Sequence, residues 1–292
     1  MIEVNCRLCS GDQYEVVTRK ESNGIVYPVV RCTSSGLYYS RIQPRDHEFE
    51  KVYEGFDSGH EKQWDAYQDH FNASIVAQIR KRLKSGAKLL DLGSGTGKFL
   101  RSASEEGFKV MGVEPISSAC EAAKEKYGLE IVNSTLESFL SSHRQLYDVI
   151  TLLNVFEHLA DPLGVLHLVH ERLNEGGICV IVVPNTNFTL LLGFVRNLVK
   201  IRDPYLLYAK KLSQQGFNPP YHLTAFTPRS MRKMAFKVGF DVALMQNAPV
   251  IRTEIPLKNT LKYFVTGIAN IIYVLSFRKL LVSHSLLCIL RK

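Results

Sequence analysis

The feature that most constrains the fold is a regular alternation of short β-rich runs and helical segments between residues 88 and 183. Parallel strands need crossover connections of a dozen or more residues, and these are usually helices. The alternation therefore predicts an α/β fold with a doubly wound parallel sheet. The predicted strands are Lys88–Leu92, Lys109–Val113, Glu130–Val132, Asp148–Leu153 and Ile178–Val183, with helices such as Ser117–Tyr127 and Pro162–Leu173 between them.

The regions on either side of this alternation have different patterns. Residues 1–45 carry β-like runs on either side of an Asn-Gly turn, which predicts a small β-rich segment. Residues 46–292 form the second predicted unit. One helix is predicted from Asp65 to Leu83, and another begins after the N-capping Thr227 and ends at about Val238. Two more strands are predicted at Phe240–Met245 and Leu286–Leu290.

A glycine-rich loop, Asp91-Leu92-Gly93-Ser94-Gly95-Thr96-Gly97, follows the first strand of the alternation. Its glycines permit a tight turn, and the amides at the start of the next helix attract polar ligand groups. A dinucleotide-binding loop would have its third glycine at position 98 when counted from Gly93, or at position 100 when counted from Gly95. Lys98 and Leu100 stand at these positions, so the loop does not match that pattern. Phe99 follows the lysine, which excludes a phosphate-binding Walker loop. Glu114 ends the next strand, where a carboxylate can accept both hydroxyls of a ribose.

The loop and Glu114, together with three later segments, resemble class I S-adenosylmethionine-dependent methyltransferases. The resemblance covers about residues 60–245, and its further elements are Asn133–Glu137, Tyr147–Pro162 and Leu173–Gly177. It implies a Rossmann-like seven-stranded sheet of order 3-2-1-4-5-7-6 with strand 7 antiparallel. It also implies a helical lid insert at residues 186–223.

The resemblance further implies S-adenosylmethionine as cofactor and S-adenosylhomocysteine as product. Asp91 and the loop glycines would hold the methionine and ribose portions, and Glu114 the ribose hydroxyls. The alternative is purely structural, with Asp91 as a cap near a helix and Glu114 as a solvated strand end. The full set of expected cofactor-binding residues is Asp91, Gly93, Gly95, Gly97, Glu114, Thr135 and Leu136 at the adenine edge, and Asn154.

The N-terminal cysteines resemble the two knuckles of a zinc ribbon that accompanies one methyltransferase subgroup. Cys6, Cys9 and Cys32 match three ligands, but Ser35 stands where the fourth cysteine would be. A structural zinc site normally needs four ligands. We therefore expect a degenerate ribbon without zinc, and the alternative of bound metal would need a substitute ligand such as His47.

Methyl transfer requires the acceptor to be aligned with the methyl group and to lose a proton. His222, in the loop Pro220–Phe226, is one candidate base because an imidazole ordinarily changes its charge near neutral pH. Glu157 and His158 are further candidates, with His158 as a base or the pair as ligands of a divalent ion. A structural role is the alternative for each, and it is favoured for the adjacent pair because neighbouring helical residues point in different directions. We expect no metal at the site.

Positive charge is concentrated in the last third of the chain. Residues 192–292 carry 16 basic and 3 acidic side chains, whereas residues 1–191 carry 20 basic and 25 acidic ones. Segments 188–202 and 257–279 are apolar with basic edges, which is typical either of contact with a membrane surface or of a lid and a packed helix. The apolar stretch within the second segment is too short to span a bilayer. The N-terminus lacks the pattern of a signal peptide, and six cysteines fit a reducing compartment, so we expect a cytoplasmic protein, with membrane association as the alternative.

The resemblance and the candidate bases together indicate an enzyme that methylates oxygen in a small or lipid-linked metabolite. A sugar or glycan intermediate and a prenylated ring compound both remain open. One alternative is a regulatory or scaffold protein that binds S-adenosylmethionine without turnover. Another is an RNA methyltransferase, but nucleic acid is not an expected partner because no binding motif accompanies the basic segments.

Overall fold

The computed structural model describes residues 1–44, 68–191, 217–250, 256–277 and 279–292. Within these ranges the chain forms a seven-stranded sheet with helices on both faces and a smaller β-rich part built mainly from the N-terminus. The strands are β1 (Ile2–Glu3), β2 (Tyr14–Ser22), β3 (Ile25–Cys32), β4 (Tyr38–Ser40), β5 (Ile42–Gln43), β6 (Lys88–Leu92), β7 (Lys109–Glu114), β8 (Ile131–Asn133), β9 (Tyr147–Leu153), β10 (Leu173–Pro184), β11 (Thr224–Ala225), β12 (Asp241–Asn247) and β13 (Ser285–Arg291). The helices are α1 (Asp69–Arg80), α2 (Lys98–Glu105), α3 (Ser117–Tyr127), α4 (Leu136–Ser142), α5 (Pro162–Arg172), α6 (Pro228–Val238) and α7 (Pro256–Leu275).

The main sheet has the order β12-β13-β10-β9-β6-β7-β8. Strand β13 runs antiparallel to both of its neighbours, and the pairs β10–β9, β9–β6, β6–β7 and β7–β8 are parallel. This arrangement confirms the predicted order 3-2-1-4-5-7-6 with strand 7 antiparallel. The predicted strands all form, and most of their ends lie within two residues of the predicted ends. Strand β10 begins earlier than predicted, because Leu173 already pairs with Tyr147 before a shift in register between Leu173 and Ile178.

The central strands are nearly continuous apolar runs because helices cover both faces of the sheet. Residues Leu89 to Leu92 are all buried, as are residues 178 to 183 of β10. Helix α6 begins as predicted, since the Thr227 hydroxyl accepts a hydrogen bond from the Ser230 amide and the Ser230 hydroxyl accepts one from the Thr227 amide. It ends at Gly239, whose φ of +101° is a left-handed conformation that favours glycine.

The N-terminal β-rich segment is built around a hairpin. Strands β2 and β3 pair through Asn23 and Gly24, which both have positive φ, as a tight hairpin turn requires. The resulting sheet has the order β11-β4-β3-β2, so its edge strand comes from residues 224–225, far away in sequence. The two-residue strand β11 has too little pattern to predict it from the sequence.

The three N-terminal cysteines gather as the ribbon resemblance implies. The sulfur atoms of Cys6, Cys9 and Cys32 lie within 4.8 Å of one another, and the Ser35 hydroxyl is 3.1 Å from the Cys6 sulfur. Ser35 therefore occupies the fourth place, and a set of three thiols and a hydroxyl is one good ligand short of a structural zinc site. His47, the alternative ligand, lies outside the described residues.

Two predicted helical regions are only partly described. The predicted helix over Asp65–Leu83 corresponds to α1 (Asp69–Arg80), and residues 65–67 of the predicted span lie outside the described residues. Of the predicted lid insert, residues 186–191 are helical and residues 217–223 are irregular with a turn at 219–221, while 192–216 lie outside the described residues. Helix α7 (Pro256–Leu275) covers most of the predicted apolar helix at 257–279, but it ends four residues earlier, and residues 276–277 form a turn. Among the helices of the described ranges, none combines the length and apolar character needed to cross a bilayer.

Candidate active site

The glycine loop connects β6 to α2 at the carboxyl edge of the parallel sheet, where ligands bind in open α/β folds. Gly93, Gly95 and Gly97 have φ of +75°, +51° and +77°, a conformation that costs other residues about 1–2 kcal/mol. A Cβ at Gly93 would lie 2.5 Å from a methyl carbon of Val155, so this glycine is needed for packing. A Cβ at Gly95 would meet none of the described atoms beyond its chain neighbours within 4 Å, so it would project into open space.

Asp91 lies in β6 just before the loop and is almost completely buried. Its carboxylate accepts a hydrogen bond of 2.5 Å from the Thr151 hydroxyl in β9. Burial raises the pKa of Asp91 to about 8, and the Thr151 hydrogen bond only partly offsets that rise. Asp91 is therefore a buried carboxyl group next to the loop and not a helix cap, because Gly97 stands at the N-cap of α2. Thr151 was not predicted, although it is a lone hydroxyl in an apolar strand.

Glu114 ends β7 and faces the loop. Its two carboxylate oxygens accept hydrogen bonds from the Gly95 amide at 2.9 Å and the Ile116 amide at 3.1 Å. The side-chain amide of Asn133 donates to the Glu114 carbonyl at 3.1 Å. Glu114 is thus buried, not a solvated strand end, and it fixes the loop next to the position predicted for the ribose.

The remaining predicted cofactor-binding residues lie just past the carboxyl ends of neighbouring strands. Thr135 follows β8 and caps α4, because its hydroxyl accepts a hydrogen bond of 3.3 Å from the Ser138 amide. Leu136 is the first residue of that helix and is buried. Asn154 follows β9 with a φ of +59°, and its backbone N–H donates to the Val182 carbonyl at 2.9 Å. The structure therefore brings all the predicted cofactor-binding residues to one edge of the sheet.

Glu157 and His158 lie in a short 3₁₀ turn, Phe156–His158, after β9. Glu157 is only 3% exposed, burial raises its pKa to about 8, and its Oε2 makes no hydrogen bond with the described residues. His158 Nδ1 is 2.9 Å from the Tyr221 carbonyl, which can only accept, so Nδ1 carries the proton. Burial lowers the pKa of His158, which is therefore neutral near pH 7. The expectation that these two neighbours diverge is wrong, because Glu157 Oε1 and His158 Nε2 are 3.9 Å apart.

His222 joins this pair from the loop before β11. Its ring contacts that of His158 edge to face, with centroids 4.8 Å apart. The loop is attached to the turn through a 2.9 Å hydrogen bond from the Leu223 amide to the Glu157 carbonyl. Ligand atoms of Glu157, His158 and His222 lie within 4.8 Å of one another. One carboxyl group and two imidazoles can relay a proton, and the same atoms are also of the types that bind a divalent metal.

The sequence of this chain matches a known protein family. The sequence model described as a methyltransferase domain matches residues 64–244, more than half of the chain. Ubiquinone biosynthesis O-methyltransferases from Salmonella arizonae and Salmonella typhimurium are 36% identical over 97 residues. That alignment covers 32% of this chain and 40% of each relative, so it spans less than half of the curated relatives.

Solved methyltransferases share the fold at low sequence identity. The 1,6-didemethyltoxoflavin-N1-methyltransferase of Burkholderia thailandensis, with 1,6-didemethyltoxoflavin and S-adenosylhomocysteine bound, is 16% identical with a TM-score of 0.55, covering 94% of this chain and 99% of that one. A plantazolicin methyltransferase in complex with S-adenosylhomocysteine is also 16% identical, with a TM-score of 0.51 and coverage of 85% and 91%. The chain therefore belongs to the methyltransferase domain family, as its resemblance to class I S-adenosylmethionine-dependent methyltransferases predicts.

Proposed function

We propose that this chain transfers a methyl group from S-adenosylmethionine to an oxygen of a small or lipid-linked metabolite. The observation that carries the proposal is the cluster of Glu157, His158 and His222 at the same edge of the sheet as the glycine loop. The partial similarity to ubiquinone biosynthesis O-methyltransferases supports oxygen as the acceptor atom. A sugar or glycan intermediate and a prenylated ring compound are the two acceptor classes.

The cofactor would bind along the loop and the adjoining strand ends. Gly95 leaves open space in front of the loop, and Glu114 is already oriented by two backbone amides. Asp91 offers a buried carboxyl group whose raised pKa falls when a cationic group binds beside it. When bound, S-adenosylmethionine supplies a methyl group on a positively charged sulfur, which is a strong electrophile.

His222 would accept the proton of the acceptor hydroxyl. That proton would move to the His222 imidazole as the acceptor oxygen takes the methyl group, so that the oxygen carries no net charge in the product. His158 would position His222 through the edge-to-face contact, since its own Nδ1 proton is held by the Tyr221 carbonyl. Glu157 is protonated at pH 7 because of its raised pKa, so it places no negative charge beside His222 that would favour the imidazolium form.

The proposal is tested by incubating the purified chain and S-adenosylmethionine with a metabolite extract. Mass spectrometry should detect a methylated product that forms with the unmodified chain and not with His222→Ala. We expect this product to form equally well in the presence of a chelator, because His222 can act without a metal. Cofactor binding without any product would instead support a silent regulatory protein, and loss of product on chelation would support the metal alternative at Glu157 and His158.

The lipid-linked form of the acceptor also implies a partner surface. Helix α7 presents apolar side chains and lies in the basic last third of the chain, which supports contact with a membrane surface. Most of the other predicted contact segment, 188–202, lies outside the described residues.

A further inference from the structure

Helix α7 exposes a continuous apolar stripe. Its members recur at intervals of three and four residues, which places them on one face of the helix. The opposite side is attached to the protein, because Ala269 is buried and the Tyr273 hydroxyl donates to the Met245 carbonyl at 3.1 Å. Phe264 is 64% exposed and Ile271 is 60% exposed. The stripe consists of Leu261, Phe264, Ile268, Ile271 and Leu275, and the exposed Phe277 and Leu280 extend it past the helix.

A basic cleft lies where this stripe ends. It has a volume of about 420 Å³, and Lys279 and Leu280 form one wall. Three cationic side chains from the first turns of α6, Arg229, Arg232 and Lys233, form another. The described residues that line the cleft include no Asp or Glu. The N-terminal end of α6 adds the positive end of its helix dipole, so the cleft favours an anionic group.

The cleft and the end of α7 lie at the same edge of the sheet as the candidate active site. Strand β13 enters the sheet from that edge, since Ser285 pairs with Pro184 at the carboxyl end of β10. Helix α6 also starts there, because the Thr186 amide, just past β10, donates to the Phe226 carbonyl, two residues before the helix. A surface that contacts both features would therefore face the edge that carries the glycine loop and His222.

We propose that α7 lies on an anionic phospholipid bilayer, with its stripe in the boundary of the acyl chains and a lipid phosphate in the basic cleft. A phospholipid surface combines apolar chains and negative charge in the arrangement that these two features require. A second copy of the chain would instead bring a like-charged surface against the cleft, because residues 192–292 carry 16 basic and 3 acidic side chains. The inference rests on the lipid-linked form of the proposed function, and it places that methyl transfer at the surface of an anionic membrane.

The test is vesicle flotation of the full chain. Vesicles of phosphatidylcholine and phosphatidylglycerol in equal amounts should bind the protein, and vesicles of phosphatidylcholine alone should bind it far more weakly. Each cation near an anionic surface strengthens binding by about fivefold, so Arg232→Gln/Lys279→Gln should weaken partitioning by about 25-fold. Phe264→Ser/Ile271→Ser should abolish the part of the binding that persists at high salt, because that part comes from apolar burial.

Two matched variants serve as controls. Phe236→Ser removes an aromatic side chain that is 84% exposed on the C-terminal half of α6, away from the cleft. Arg144→Gln removes an exposed cation before β9, at the opposite edge of the sheet. Both should bind anionic vesicles like the unmodified chain, and circular dichroism should show that all four variants fold.

Several outcomes would refute the proposal: no vesicle binding, equal binding to both vesicle types, equal losses in the control variants, or dimer formation through α7 in sedimentation experiments. Inhibition by millimolar inorganic phosphate without any vesicle binding would point to a free phosphate ligand and also refute it. Flotation needs no methyl acceptor, so vesicle binding without methylation would contradict only the proposed function. Methylation of a water-soluble acceptor without vesicle binding would contradict only this inference.

Discussion

Replacing Gly93 and Gly95 by alanine should separate a glycine that the fold needs from one that the cofactor needs. Both residues have positive φ, so alanine costs about 1–2 kcal/mol at either position. At Gly93 the added methyl would also lie 2.5 Å from Val155 Cγ2, and such overpacking costs about 1–3 kcal/mol. Gly93→Ala should therefore lower the free energy of unfolding by about 2–5 kcal/mol, and Gly95→Ala by only about 1–2 kcal/mol.

Urea denaturation and calorimetry with S-adenosylhomocysteine measure the two effects. Gly95→Ala should weaken ligand binding about 5- to 150-fold, because overlap with a bound ligand costs about 1–3 kcal/mol. Gly95→Arg, which fills the space in front of the loop, should abolish binding. Adding Val155→Ala to Gly93→Ala should restore part of the lost stability, with Val155→Ala alone as the control.

Two results would refute this reasoning. If Gly93→Ala destabilises the protein no more than Gly95→Ala, or if Val155→Ala gives no rescue, the contact with Val155 does not limit residue 93. If Gly95→Arg binds S-adenosylhomocysteine with unchanged affinity, the cofactor does not lie against the glycine loop, and the proposed function fails with it.

Three further predictions concern the catalytic cluster and the cysteines. His222→Ala should bind S-adenosylhomocysteine with unchanged affinity, while its turnover falls about 10²–10⁴-fold. The turnover that remains should no longer increase as the pH rises through the imidazole pKa. His158→Ala should cost stability more than turnover, and normal turnover in His222→Ala would rule out His222 as the base. Burial raises the pKa of Glu157 from 4.5 to about 8, so the folded state holds a proton that the unfolded state releases. The free energy of unfolding should therefore fall as the pH rises from about 5 to 8. In urea titrations, Glu157→Gln should make this fall less steep, and the part that remains comes from Asp91, whose pKa is also raised. An unchanged slope in Glu157→Gln would contradict the raised pKa of Glu157. Elemental analysis should find well under one zinc per chain, and about one in Ser35→Cys, which completes four thiol ligands; stoichiometric zinc in the unmodified chain would show that Ser35 does not disable the site.

The cofactor side of the site could be predicted from sequence more fully than the acceptor side. Glu114 ends a strand, and the glycine loop and Asn154 each follow one. Because the parallel strands of a sheet end at the same edge, the positions of these residues along the chain are enough to bring them together. His222 lies more than 60 residues beyond Glu157 and His158. Nothing in the local pattern of either segment shows that the Leu223 amide bonds to the Glu157 carbonyl.

The sequence by itself determined the alternation of strands and helices and the limits of helix α6, because these depend on hydrophobic periodicity, crossover length and capping within short segments. The family resemblance supplied the order of the strands in the sheet. Only the tertiary structure decided which polar groups lose their water. Tertiary packing buries Asp91 and Glu157, and this burial raises their pKa values. The same packing pairs β11 with the N-terminal sheet and leaves one face of α7 exposed. Each of these depends on which distant side chains fill the surrounding space, and a local pattern of residues carries no record of that packing.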